Sequence, residues 1–148
     1  FLISNYSYIN WTELSQNRHG LAMIFLEENY ERIDWRHLSM NSSYGALRIL
    51  RKNPHKIVWR ELSMNKSSGA EKLLRENPDN ISSDILCLNP SRWAMKLLLE
   101  NPCHINMCVI KDNRSNAGFE FYERLNNLAI KDSEETDEDS DESDKSMV

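Results

Sequence analysis

A 24-residue period runs through this chain, and no other feature of the sequence restricts its fold as tightly. Isoleucine recurs at Ile9, Ile33, Ile57, Ile81 and Ile105. Two residues later come Trp11, Trp35 and Trp59, replaced by Ser83 and Met107 further on. Leu14, Leu38, Leu62, Leu86 and Ile110 keep step, as do Asn17, Asn41, Asn65, Asn89 and Asn113. A small residue follows at Ala22, Ala46, Ala70, Ala94 and Gly118. Asn29, Asn53, Asn77 and Asn101 close their units, the last three followed by Pro54, Pro78 and Pro102. The columns define units 9–32, 33–56, 57–80 and 81–104, with a degenerate fifth at 105–128. Phe1-Leu2 and Asn5-Tyr6 match Phe25-Leu26 and Asn29-Tyr30, so residues 1–8 read as the second half of a preceding unit. A half-unit lacks the partner for its apolar face, so the chain reads as part of a longer array.

Within a unit the spacing predicts two helices. Asn10 or Asp34 suits the N-cap of a short first helix, with Trp11 and Leu14 on one face. The recurrent asparagine at 17, 41, 65, 89 and 113 reads as the N-cap of a second helix, and Pro90 as a first helical residue after it. That helix carries Ala22, Phe25, Leu26 and their equivalents at helical spacing, and Asn-Pro ends it. A leucine-rich repeat shares the period and the asparagine, but Thr12, Arg36, Arg60 and Asp84 fill the slot where its strand needs an apolar residue. The expectation is an all-α fold: an α-solenoid of tandem two-helix repeats, with Trp11, Trp35, Trp59, Leu14, Leu38, Leu62 and Leu86 in its core. Residues 129–148 read as a disordered acidic tail, with nine acids between Asp132 and Asp144 and no apolar residue from Asp132 to Ser146.

The string I-x-W-x-x-L-S-x-N, followed by a small residue, L-L, E-N-P and Ile, resembles short repeats abundant in proteins of large nucleocytoplasmic DNA viruses. Ile33–Asn41, Ile57–Asn65 and Ala94–Asn101 carry the likeness most clearly, and it spans residues 1 to about 128. Ser83 and Cys87 depart from the pattern in unit four, and unit five keeps little beyond Ile105, Ile110 and Asn113. The resemblance implies a minor, capsid-associated structural protein, placed in the virion or the host-cell cytoplasm, with capsid or assembly components as partners.

The residues themselves supply no catalytic constellation. His19, His37, His55 and His104 do not share a column, no glycine loop cradles a phosphate, and no nucleophile stands beside a base. The reading is therefore a non-enzyme without cofactor, metal or small-molecule substrate. Cys87, Cys103 and Cys108 are too few for a disulfide framework and fit a reducing compartment, and Cys103-His104 with Cys108 lacks the second ligand pair a zinc site needs. The sequons at Asn41, Asn65 and Asn113 read as helix-capping asparagines rather than glycosylation sites in a secreted protein. No apolar run is long enough to span a membrane. Residues 1–130 hold 16 Lys/Arg against 14 Asp/Glu, so the acidity of the chain (formal net charge −5) resides in the tail.

Four features read as candidate partner contacts. Arg48, Lys72 and Lys96 share one column of the second helices and Arg51 and Arg75 another, which predicts a two-column basic strip. An ordinary solvated face is the plain alternative, and nucleic-acid binding is the class-distinct rival to protein binding. Met40, Met64 and Leu88 form an apolar column that either meets a partner or tucks into the turn. Trp93 stands where other units have Leu21, Gly45, Gly69 and Ala117, as a packing filler or a contact. A host-protein adaptor is a third functional reading. The acidic tail is a candidate internal screen for the strip, with Thr136 in T-D-E-D as a phosphorylation site that would strengthen it.

Overall fold

Residues 6–138 are described by a computed structural model, in which the chain is all-helical and no strand occurs among the described residues. The first helices of the units are α1 (Trp11–Gln16), α3 (Trp35–Met40), α5 (Trp59–Met64), α7 (Ser83–Leu88) and α9 (Met107–Ile110). The second helices are α2 (Gly20–Glu28), α4 (Tyr44–Lys52), α6 (Ser68–Glu76), α8 (Arg92–Glu100) and α10 (Asn116–Glu138). Each first helix packs on the next first helix and each second helix on the next second helix, giving two rows with the core between them. Leu26, Leu38, Leu50, Leu62, Leu74, Leu86, Leu98 and Ile110 are fully buried there, and Ile33, Ile57 and Ile81 close over the helix ends.

Local chemistry explains the breaks. Asn10 Oδ1 accepts from the Glu13 N–H at 3.2 Å, and Asp34 Oδ1 from the His37 N–H at 3.1 Å, so both first-helix caps form as the sequence indicates. Asn53, Asn77 and Asn101 leave the helical conformation, and each side-chain amide donates to the carbonyl four residues back, on Ile49, Leu73 and Leu97. Pro54, Pro78 and Pro102 then open a 3-10 turn of three residues, because proline needs no N–H donor at a helix start. A unit therefore holds two α-helices and a 3-10 turn.

The column at 17, 41, 65, 89 and 113 departs from its expected role. None of Asn17, Asn41, Asn65, Asn89 or Asn113 caps a second helix. The first four are C-caps of α1, α3, α5 and α7, and Asn113 lies two residues beyond the C-cap of α9. The second-helix N-caps are His19, Ser43, Ser67 and Ser91, two residues on, and Ser115 holds the same place before α10. Pro90 accordingly precedes α8 by two residues instead of opening it. The asparagines work between units. Asn65 Nδ2 donates to the carbonyls of Ser39 (3.0 Å) and Asn41 (3.2 Å) in the preceding unit, and its Oδ1 accepts from the Ser67 N–H (3.1 Å) and hydroxyl (2.8 Å). Asn41, Asn89 and Asn113 repeat the two cross-unit bonds. These four are buried, while Asn17, which makes no such bonds among the described residues, is exposed. A second column assists: the hydroxyls of Ser15, Ser39 and Ser63 donate to the carbonyl four residues back and accept the N–H of Asp34, Val58 and Ser82 in the next unit.

The tryptophans are half-buried, not buried. Trp35 and Trp59 pack against the core from its edge, and Trp11 lies in a near-parallel group of rings with Tyr6 and Phe25, about 6 Å apart. Their indoles are too wide for the interior of a two-layer stack whose centre is filled by leucine. Leu14 is half-buried as well, whereas Leu38, Leu62 and Leu86 are fully enclosed.

The expected tail boundary at 129 falls inside α10. Where earlier units place Asn-Pro, unit five has Leu125-Asn126, so the stop is missing and the helix runs on to Glu138. The expectation of disorder for residues 139–148 lies outside the described residues.

Candidate protein-docking face

The second helices bring cations together at one place. Between α4 and α6 lies a groove of about 560 Å³ with Arg48, Arg51, Lys52 and Lys72 around it, and Tyr44 and Leu47 supplying its apolar wall. The hydroxyl-bearing Ser42, Ser67 and Ser68 complete the rim. Gly69 lets Leu47 pack closely against α6: a Cβ there would lie 2.5 Å from Leu47 Cδ1. In the next unit the same column holds Trp93, half-buried, with its indole N–H donating to the Lys66 carbonyl at 3.1 Å. Trp93 is thus hydrogen-bonded across units rather than standing free.

Acidic groups divide the expected strip. Glu27 takes both Arg48 and Lys52, the latter at 3.1 Å, and Glu76 stands 3.7 Å from Arg51. Four cations therefore face two carboxylates around the groove, and among the described residues Lys72 forms no ion pair. Arg75 is held by Glu100 of the next unit and by Glu71 at 3.0 Å, and these bonds push its guanidinium further up and draw the Glu100 carboxyl below its ordinary value. Lys96 lies apart, on a smaller groove between α8 and α10 that also includes Glu120. Arg48, Arg51 and Lys72 thus converge, and Arg75 and Lys96 do not join them.

Lys52 and Tyr44 escaped the sequence reading. The column of Lys52 carries Glu28, Glu76 and Glu100 in neighbouring units, so recurrence hides it. A usable signal was the i, i+25 charge pairing of Glu27 with Lys52, Arg51 with Glu76 and Arg75 with Glu100.

The other candidates resolve individually. Met40 is exposed, while Met64 and Leu88 are half-buried, so the apolar column fades along the rows. Burial raises the Cys87 thiol, which follows Ser15, Ser39 and Ser63 in their column and accepts the Asn106 N–H at 3.4 Å. His104 is hydrogen-bonded to Ser83 at 2.7 Å, Cys103 and Cys108 are exposed, and no three metal-ligating side chains gather among the described residues. No helix among them is long and apolar enough to cross a membrane. The chain matches no known protein-family model, no curated protein and no solved structure.

Proposed function

We propose that the chain is a non-enzymatic α-solenoid scaffold that binds other proteins, and that its α4–α6 groove receives an acidic segment of a partner. The observation that carries this reading is the excess of cations around one concave, partly apolar groove, with Lys72 unengaged among the described residues. A short acidic peptide suits such a site, because carboxylates meet Lys72 and the rim arginines while an aliphatic or aromatic side chain covers Leu47 and Tyr44. Nucleic acid suits it less: a continuous phosphate backbone along the second helices would meet Glu71, Glu76, Glu100 and Glu120 between the cations. The repeat resemblance supports placing the scaffold among minor capsid-associated proteins of a large DNA virus, which mass spectrometry of purified particles tests.

For the groove, the test is fluorescence anisotropy with a labelled deca-glutamate peptide containing one central leucine. Lys72→Glu should weaken binding at least tenfold, about 1.4 kcal/mol. Lys56→Glu, exposed and away from the groove, should change it less than twofold. Equal losses in the two variants, or tighter binding of duplex DNA at the same salt, would overturn the assignment.

A further inference from the structure

The α4–α6 groove has a counterpart two units further on. A groove of about 350 Å³ lies between α8 and α10, and its lining repeats that of the first at a shift of two periods. On the earlier helix Met95 answers to Leu47 and Lys96 to Arg48; on the later one Ala117 answers to Gly69 and Glu120 to Lys72. Arg92 and Arg124 stand where Tyr44 and Glu76 stand two units earlier, which makes good the cation lost at Glu120. Arg92, Lys96 and Arg124 thus face one carboxylate, and none of the four groups forms an ion pair among the described residues. Each groove carries the same excess of cations, four against two in the first and three against one in the second. The step between them differs. Trp93 holds the column of Gly69 and Ala117, and its indole N–H donates to the carbonyl of Lys66, next to the Ser67 rim of the first groove. Its chain neighbour Arg92 lines the second groove, so the half-buried indole lies between the two. The carboxylates of this step are already engaged, Glu71 and Glu100 by Arg75 and Glu76 by Arg51.

We propose that one extended acidic segment of a partner occupies both grooves, with a carboxylate cluster in each and an uncharged, partly apolar stretch across Trp93. The inference rests on the acidic-segment reading of the α4–α6 groove and adds the residue pattern that the partner must carry. Packed helices lie roughly 8–10 Å apart, so two helix steps set the groove centres roughly 16–20 Å apart. An extended chain advances about 3.3 Å per residue, which puts the centres of the two clusters about five or six residues apart. Once the first cluster is seated, the second binds within the same complex, so the linkage multiplies affinity without new contact chemistry. A segment of unbroken negative charge fits less well. Its central carboxylates would lie against Glu71, Glu76 and Glu100, where Arg51 and Arg75 are already taken.

The test is fluorescence anisotropy of the full chain with two labelled peptides of equal composition. One has two tri-glutamate blocks joined by Ser-Leu-Ser; the other has Ser-Leu-Ser followed by six glutamates in a row. The spaced peptide should bind on the order of tenfold more tightly. Lys96→Glu and Lys72→Glu, each with the helical spectrum retained, should abolish that preference, and Lys96→Gln should reduce it. Lys56→Glu, exposed and away from both grooves, should change it by less than about twofold. Equal affinity of the two peptides for the unaltered chain would overturn the bridge. So would sensitivity to Lys72→Glu alone, which keeps the first groove as the acidic site and strikes out the second. Indifference to both lysine reversals would overturn the reading of the α4–α6 groove as well.

Discussion

Replacing Asn65 by Ala removes more than one side chain's contacts. Asn65 Nδ2 satisfies the carbonyls of Ser39 and Asn41, and its Oδ1 satisfies the N–H of Ser67, all at buried or part-buried positions. The Ser67 hydroxyl also loses an acceptor but rotates freely toward another, so three backbone groups stay unpaired. At about 1–3 kcal/mol for each orphaned buried group, with partial relaxation, the loss should be about 3–5 kcal/mol. The column holds its own control. Asn17 occupies the same register but makes neither cross-unit bond among the described residues, and it is exposed. Among the described residues its Oδ1 accepts the His19 N–H alone, at 2.9 Å. Asn17→Ala should therefore cost less than about 1 kcal/mol, the worth of one exposed hydrogen bond. Urea unfolding followed by circular dichroism reads both, with the midpoint shifting and the slope retained. Equal costs in the two variants, or a loss below about 1 kcal/mol at position 65, would refute the view that the asparagines bind unit to unit.

Trp59→Ala should cost about 2–3 kcal/mol, below the usual range for a fully buried aromatic, because Trp59 is half-buried at the edge of the core; thermal unfolding checks it. Asn126→Pro should restore the missing stop and remove roughly a dozen residues of helix C-terminal to it, seen as a fall in ellipticity at 222 nm. Asp34 should contribute to the acid limb of the stability curve. Burial raises its carboxyl, but hydrogen bonds from the His37 backbone, the His37 ring and the Thr12 hydroxyl outweigh this and lower it below 3.8. A depressed folded value stabilises above the unfolded one and is lost as pH falls through it, so Asp34→Asn should flatten the stability loss below about pH 4.

Period and composition made the helices legible, because an apolar side chain every three or four residues admits one solution at this unit length. The Asn-Pro stops were legible too, since their chemistry is local: a proline and a side chain reaching its own helix. The asparagine column was legible as a column and misread as a cap. Recurrence shows that a residue does the same thing in every unit, but not whether its partner lies in its own unit or the previous one. The serine two residues later, at 43, 67, 91 and 115, was the better capping candidate. Its hydroxyl bonds the backbone of its own helix at positions 43, 67 and 115, and the triplet Asn-x-Ser follows from both residues sharing one hydrogen-bonded turn. The long α10 was readable from what unit five lacks at 125 and 126. The groove was not, because it depends on Lys52 and Gly69, which gain their meaning only from the side chains opposite.

The bonds between units all point the same way in these ladders. Every Nδ2 bond of the Asn41, Asn65, Asn89 and Asn113 column, and every backbone N–H bond onto the serine or cysteine column, runs from a donor in the later unit to an acceptor in the earlier one. A unit thus has a donor side and an acceptor side, like a magnet with two poles. The later end of a row of units therefore presents acceptors, and the unit that follows supplies the matching donors. The same polarity makes units exchangeable in sequence but never reversible. Loss or gain of 24 residues rejoins a donor side to an acceptor side and leaves both ladders whole. Any shorter slip brings the asparagine opposite a helical turn whose carbonyls are already taken. Length in such a chain is therefore free to change, but only in whole steps.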